Sequence, residues 1–258
     1  MKMIDLSLIL TGIIISLGVA LVMPAYYQHK YQQLMVIKPL PSTPPSNPLL
    51  LAFSIVDEKN LPNWCTDLFS FIKNQNLKAT LFIAGKVAEK FPDCVTNFSS
   101  YGYRVDIGSL TYNYVNLTSI PDHMRQLQEI QKGKATIDKI ANVNSTLFKA
   151  PYGSTDPNIY SLLTRSGIIA DFSYPQQYNK YENGQFTNYN LVAFNGSNYK
   201  SKDLFNHIIS NQIPGMLNFD NSVPVDNINK LITKIKKANK NSFITPSELT
   251  SLALTQRQ

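Results

Sequence analysis

Leu49–Val56 reads LLLAFSIV, apolar throughout except for Ser54, and Ala79–Ala84 repeats the pattern as ATLFIA. A strand with one wet face alternates polar and apolar residues. An unbroken apolar run marks a strand covered on both faces, the situation of a parallel sheet wrapped by helices. Between the two runs, Trp64, Leu68, Phe69 and Ile72 recur at helical spacing, which predicts a helix over Trp64–Asn74. The unit is therefore strand, helix, strand.

The same alternation continues along the chain. Gly85–Phe91 reads as a short helix and Tyr103–Ile107 as a third strand. Asp122–Ile140 reads as a long helix with an acidic cap, and Leu147–Ala150 as a fourth strand. Helix Asn158–Ser166 and strand Ile168–Phe172 follow, then a Tyr-, Gln- and Asn-rich loop or small hairpin over Tyr174–Asn190. Lys202–Asn211 and Val225–Asn239 read as helices, flanking a strand at Gly215–Phe219. A last strand, Ser242–Ile244, precedes a helix capped by Thr245 or Ser247. Repeated strand–helix units of this length imply a distorted (β/α) barrel of about seven parallel strands, with chemistry gathered at the C-terminal strand ends.

Upstream, Lys38–Pro48 (KPLPSTPPSNP) is too proline-rich for a core and reads as an extended spacer, part of a linker over 26–48. Leu6–Ala25 (LSLILTGIIISLGVALVMPA) carries no charge, and as a helix it would run about 30 Å, the thickness of a bilayer core. Tyr26 and Tyr27 follow where an interfacial belt falls. A cleaved signal peptide is the rival reading, but no small-x-small cleavage site follows. The favoured division is a tail over 1–5, a transmembrane anchor over 6–25, the spacer, and one domain over 49–258. The lysines flanking the apolar run, Lys2 against Lys30 and Lys38, barely orient it and lean, if at all, against export.

The net charge is +7. That fits an anionic partner or a solvated basic surface, but no basic run is interleaved with aromatics, so nucleic acid is not expected. Cys65 and Cys94 form no CxxC unit, and they are either one disulfide of an exported domain or two buried thiols. Four N-x-S/T sequons, at Asn97, Asn116, Asn144 and Asn195, are compatible with export.

Several strand ends carry motifs in a telling order. ATLFIAGKVAEKFPD (Ala79–Asp93), IGSLTYNYVNLTSIP (Ile107–Pro121), FKAPYG (Phe148–Gly153) and the closing FITPSEL together resemble the polysaccharide deacetylase family, the NodB-homology domains of carbohydrate esterase family 4. The resemblance implies metal-assisted amide hydrolysis, in which an Asp and two His hold zinc, a second Asp is the base and a last His is the acid. Carried over by position, Asp57 takes the base place and Glu58 the metal carboxylate. A one-residue shift would instead place Val56 and Asp57 there, and Lys59 stands where the family has Gly. The two metal-histidine positions are Leu110 and Tyr114. Lys149 replaces the base-orienting arginine, keeping charge but losing the planar fork. Tyr152 retains a backbone N–H suited to an oxyanion. Phe219 falls at the acid histidine, beside a retained Asp220.

An aliphatic chain and a neutral phenol do not replace imidazoles around zinc. His29, His123 and His207 are the chain's histidines, and none falls at a strand end. The expectation is therefore a membrane-anchored, extracytoplasmic, catalytically impaired homologue without a cofactor, bound to cell-envelope glycan. Tyr112, Tyr114, Tyr174 and Tyr178, with Tyr152 and Tyr181, would supply stacking rings. The alternative is an active N-deacetylase whose remodelled oxygen-donor site holds a divalent metal.

Overall fold

The computed structural model describes residues 48–173, 177–238 and 242–255, with side chains as far as residue 251. The expected anchor over 6–25, all but the last residue of the spacer over 26–48, His29 and Tyr174 lie outside the described residues. Among the described residues no helix is long and apolar enough to cross a membrane.

Ten strands are described: β1 (Pro48–Ser54), β2 (Ala79–Ile83), β3 (Val105–Ser109), β4 (Leu147–Phe148), β5 (Ala170–Asp171), β6 (Gln177–Glu182), β7 (Gln185–Asn190), β8 (Val192–Asn195), β9 (Gly215–Asp220) and β10 (Ser242–Ile244). They share one sheet in the order β7-β6-β5-β4-β3-β2-β1-β9-β8, with β10 paired to the start of β1. The ladders are parallel except β5–β6 and β6–β7. The two edge strands are consecutive in sequence, separated by the buried Leu191. One rising segment therefore serves both edges, its first half on β6 and its second on β9, which nearly closes a barrel.

The helices are α1 (Leu61–Asn74), α2 (Gly85–Lys90), α3 (Pro92–Ser99), α4 (His123–Ala141), α5 (Pro157–Arg165), α6 (Lys202–Ser210), α7 (Val225–Ala238) and α8 (Pro246–Thr255). β1 shows why its sequence is apolar on both parities. Leu49, Leu51, Phe53 and Ile55 pack beneath the helices, while Leu50 and Ala52 face the barrel interior with Phe82, Leu110 and Met216. α8 lies against the N-terminal strand ends. Leu249 enters the interior cluster, Ser247 N donates to Asp106 Oδ2 at 2.7 Å, and Lys180 Nζ donates to Thr250 O at 2.8 Å.

Most expected elements occur within two or three residues of their predicted bounds. Three features differ. The region from Tyr174 onward contains a full antiparallel hairpin, β6–β7, so the sheet is mixed and larger than seven parallel strands. β8 and α3 are short and were not foreseen. α3 brings Cys94 to Cys65 on α1, and the two form a buried disulfide with Cα atoms 5.4 Å apart. Two of the four sequons have a local explanation as turn caps. Asn116 Oδ1 accepts from Thr118 N at 3.0 Å, and Asn195 Oδ1 accepts from Ser197 N at 3.0 Å.

Candidate functional site at the barrel mouth

The strand alternation selects which side chains reach the mouth, the end of the barrel where parallel strands finish. On β1 the interior parity passes from Leu50 and Ala52 to Ser54. On β9 it passes from Met216 to Asn218 and Asp220, while Leu217 and Phe219 face the helices. From the end of β4, Lys149 reaches across this gap. Its Nζ donates to Ser54 Oγ at 3.1 Å and to Asn218 Oδ1 at 3.0 Å, and lies 5.7 Å from the centroid of Phe82. Burial pushes its ammonium down to about 8 from an ordinary 10.5, and the charge of Asp220 works in the opposite direction. A lysine cation thus sits inside the mouth.

The loops around it are held in costly conformations. Seven described non-glycine residues have positive φ, and four are asparagines, which tolerate it. The other three are Thr111 (φ 83°), Tyr114 (φ 56°) and Tyr152 (φ 60°), all on mouth loops. Each such backbone costs about 1–3 kcal/mol and persists only where its surroundings impose it. For Thr111 the imposing neighbour is α4. A Cβ built on Gly133 would lie 2.5 Å from the Thr111 carbonyl carbon, so the helix approaches this loop only through glycine. Tyr114 and Tyr152 meet edge to face at 5.4 Å between centroids. Burial raises the Tyr114 phenol above its ordinary 10.0, with Tyr152 and Asp220 adding to the shift.

The loop after β4 is buttressed from β5. Asp171 is fully buried and accepts from the Ser173 hydroxyl and from Ser173 N at 3.1 Å. The same hydroxyl oxygen accepts from Ala150 N at 2.7 Å, next to Lys149. Desolvation raises the Asp171 carboxyl to about 6, against the lowering effect of the Ser173 and Asn179 hydrogen bonds.

Several residues singled out from the sequence lie elsewhere. Asp57 is exposed beyond the end of β1, where its Oδ1 accepts from Lys59 N at 3.1 Å. Glu58 pairs with Lys90, and both side chains are solvent-exposed. Asn221, just past the end of β9, holds this segment: its Oδ1 accepts from Val56 N at 2.9 Å and its Nδ2 donates to Asp57 O at 2.5 Å. Phe219 stacks on Phe53 at 5.6 Å in the helix layer and does not face the mouth. Tyr112 lies between α2 and α4, its hydroxyl on Glu89 at 2.8 Å and its ring under Lys132 Nζ at 3.6 Å. Tyr178 is a core residue, stacked on Phe172 and Tyr189 at 5.2 Å on either side, and cannot meet a ligand. Tyr181 packs on Phe186 of the hairpin. Leu110 fills the interior cluster, and Tyr114 and Tyr152 remain at the mouth. Ser54 was missed as a site residue, and Asn218, at an expected strand end, was given no role. The parity of β1 and β9 was the signal that could have found them.

The family's zinc is a test of this donor set. Among the described residues no three His, Cys, Asp or Glu side chains converge as ligands. His123 hydrogen-bonds Gln126 at 2.9 Å on α4, and His207 lies on α6. Around Lys149, Asp220, Tyr114, Ser54 and Asn218 offer a carboxylate, a phenol, a hydroxyl and an amide beside a resident ammonium, which repels a divalent cation. These residues do not fit zinc.

Fold and site define an α/β barrel with a strained, polar and aromatic mouth at its C-terminal strand ends. The sequence profile described as polysaccharide deacetylase matches residues 42–170, half of the chain. The chain belongs to the polysaccharide deacetylase family. It is 24% identical over 183 residues to a peptidoglycan-N-acetylglucosamine deacetylase of Bacillus cereus, covering 68% of this chain and 60% of that relative. The fold is similar to a peptidoglycan deacetylase of Bacillus subtilis, with a TM-score of 0.59 at 16% identity over 82% of this chain and 94% of the other. It is also similar to a mutant of a pseudoenzyme of the CE4 family, with a TM-score of 0.60 at 13% identity over 80% of this chain and 68% of the other.

Proposed function

We propose that this chain is a membrane-tethered deacetylase-fold domain that binds cell-envelope glycan and lacks metal-assisted amide hydrolysis. The observation that carries the reading is the Lys149 ammonium, held by Ser54 and Asn218 inside the mouth while Glu58 is paired with Lys90. What remains suits a polyol. The Tyr152 ring, 73% exposed on its left-handed turn, offers a stacking face for a sugar, and Tyr114, Asn218 and Asp220 offer partners for hydroxyls. The peptidoglycan chemistry named for the Bacillus relatives supports a cell-wall glycan as the ligand class. The inactive relative named among similar folds is a precedent for a family member without turnover. The apolar run over 6–25 supports the tether, and the buried Cys65–Cys94 disulfide supports an oxidising, extracytoplasmic setting.

The test uses the full chain in detergent, with acetylated chito-oligosaccharide as ligand. The expected result is saturable binding without acetate release and without stoichiometric zinc. Tyr152→Ala, at an exposed position, should weaken binding by up to about tenfold, the worth of one aromatic contact. Tight zinc together with acetate release would overturn the reading.

A further inference from the structure

Parallel strands flanked by helices place every returning helix C-terminus at one end of the barrel, the base, where strands begin. Cations at those termini are stabilised by the helix dipoles. Here their sum makes a surface. Lys73 closes α1, Lys139 lies in the last turn of α4, Arg165 closes α5, and Lys236 and Lys237 lie in the last turn of α7. All five are exposed, and Arg104 joins them just before β3. Lys236 Nζ donates to Gln75 O at 3.2 Å and Arg104 reaches Asn76 O at 3.5 Å, which knits these ends together. The carboxylates on this face are engaged: Glu248 by Lys78, Asp138 by Lys134, Glu182 by Tyr189, and Asp106 by Ser247 N. The mouth side mixes both signs, with Asp122, Asp156 and Asp203 against Lys59, Lys86 and Lys90.

A second observation is independent of charge. Seven large hydrophobic residues are exposed among those described: Tyr103, Val143, Ile169 and Ile213 lie on segments leading into strands, at the base, and Val56, Met124 and Tyr152 lie toward the mouth. Exposed apolar side chains set among lysines and arginines are the pattern of a surface that enters a lipid interface. The chain also enters the barrel on this face, at Pro48.

We propose that the base of the barrel docks on an anionic phospholipid surface, Tyr103, Val143, Ile169 and Ile213 entering the headgroup layer and the helix-end cations meeting lipid phosphates. The orientation rests on the reading of residues 6–25 as a membrane anchor, and it aims the mouth away from the bilayer, toward the glycan.

The test is amine footprinting of the full chain in vesicles of phosphatidylcholine, with and without phosphatidylglycerol. Lys59 and Lys86 at the mouth are the internal reference. Anionic lipid should lower labelling of Lys73, Lys139 and Lys237 by about threefold or more, and salt of about 0.5 M, which shortens screening to a few ångströms, should reverse it. The combined variant Tyr103→Ser, Ile169→Ser, Ile213→Ser should lose the protection with its far-ultraviolet spectrum unchanged. Equal labelling in the two vesicle types would overturn the proposal, as would protection that ignores salt. So would equal protection by a soluble polyanion, which would move the surface to a charged polymer. If the chain does not enter neutral vesicles, the anchor reading falls. Docking then predicts recovery with anionic vesicles alone, and recovery with neither would sink both.

Discussion

Replacing Lys149 with methionine keeps most of its volume and removes its charge, and the structure gives the consequence a size and a pH. The ammonium titrates at about 8 in the fold, against 10.5 unperturbed, with burial as the leading cause. That difference corresponds to about 3 kcal/mol of penalty on the charged form. The side chain keeps some exposure, so solvent screening trims the figure to about 2 kcal/mol. The hydrogen bonds to Ser54 and Asn218 return about 1 kcal/mol. Lys149→Met should therefore be the more stable protein at pH 7, by about 1 kcal/mol. The sign of the pH dependence follows from the depressed folded pKa. The parent gains stability as pH rises from about 8 towards 10.5 and loses it as pH falls through 8. The variant lacks this titration, so its advantage should vanish and reverse at the alkaline end, a swing of about 2 kcal/mol. Urea unfolding of both proteins across this range measures the difference directly. A constant difference, or a variant far less stable at pH 7, would refute the claim that Lys149 is a desolvated cation held at a cost.

Two further outcomes follow from buried groups. The Cys65–Cys94 bond spans 29 residues, and losing it in a Cys65→Ser, Cys94→Ser pair should cost about 3–4 kcal/mol in urea unfolding; an unchanged midpoint would show the bond is absent from the native protein. Asp171 has a folded pKa raised to about 6 from 3.8, so its contribution to stability is complete below the lower value and lost as pH rises through the upper. Asp171→Asn should therefore gain on the parent by about 2–3 kcal/mol between pH 4 and 7, whatever its offset at pH 4. A stability difference that does not change with pH would place that carboxyl in water.

The sequence alone carried the barrel, because buried parallel strands must be apolar on both faces and Leu49–Val56 and Ala79–Ala84 are. It also showed that the chain's three histidines fall away from the strand ends, since ligand identity is a property of residue type. The hairpin β6–β7 was half legible: its polar, aromatic strands lie at one end of the sheet order and satisfy neither the buried-strand nor the helical period. Tertiary structure decided what each strand-end residue faces. Asn221, far along the chain, clips the segment after β1 through the backbone of Val56 and Asp57. Parity then gives the mouth to Ser54, Asn218 and Asp220 and assigns Phe219 to the helix layer. The conformation of the mouth loops was also beyond one-dimensional reading, since Thr111, Tyr114 and Tyr152 adopt left-handed backbones that no propensity favours and that neighbouring elements impose. Residue type fixed which chemistry was available, and long-range contacts fixed which side chains meet, because orientation depends on partners that are distant in sequence.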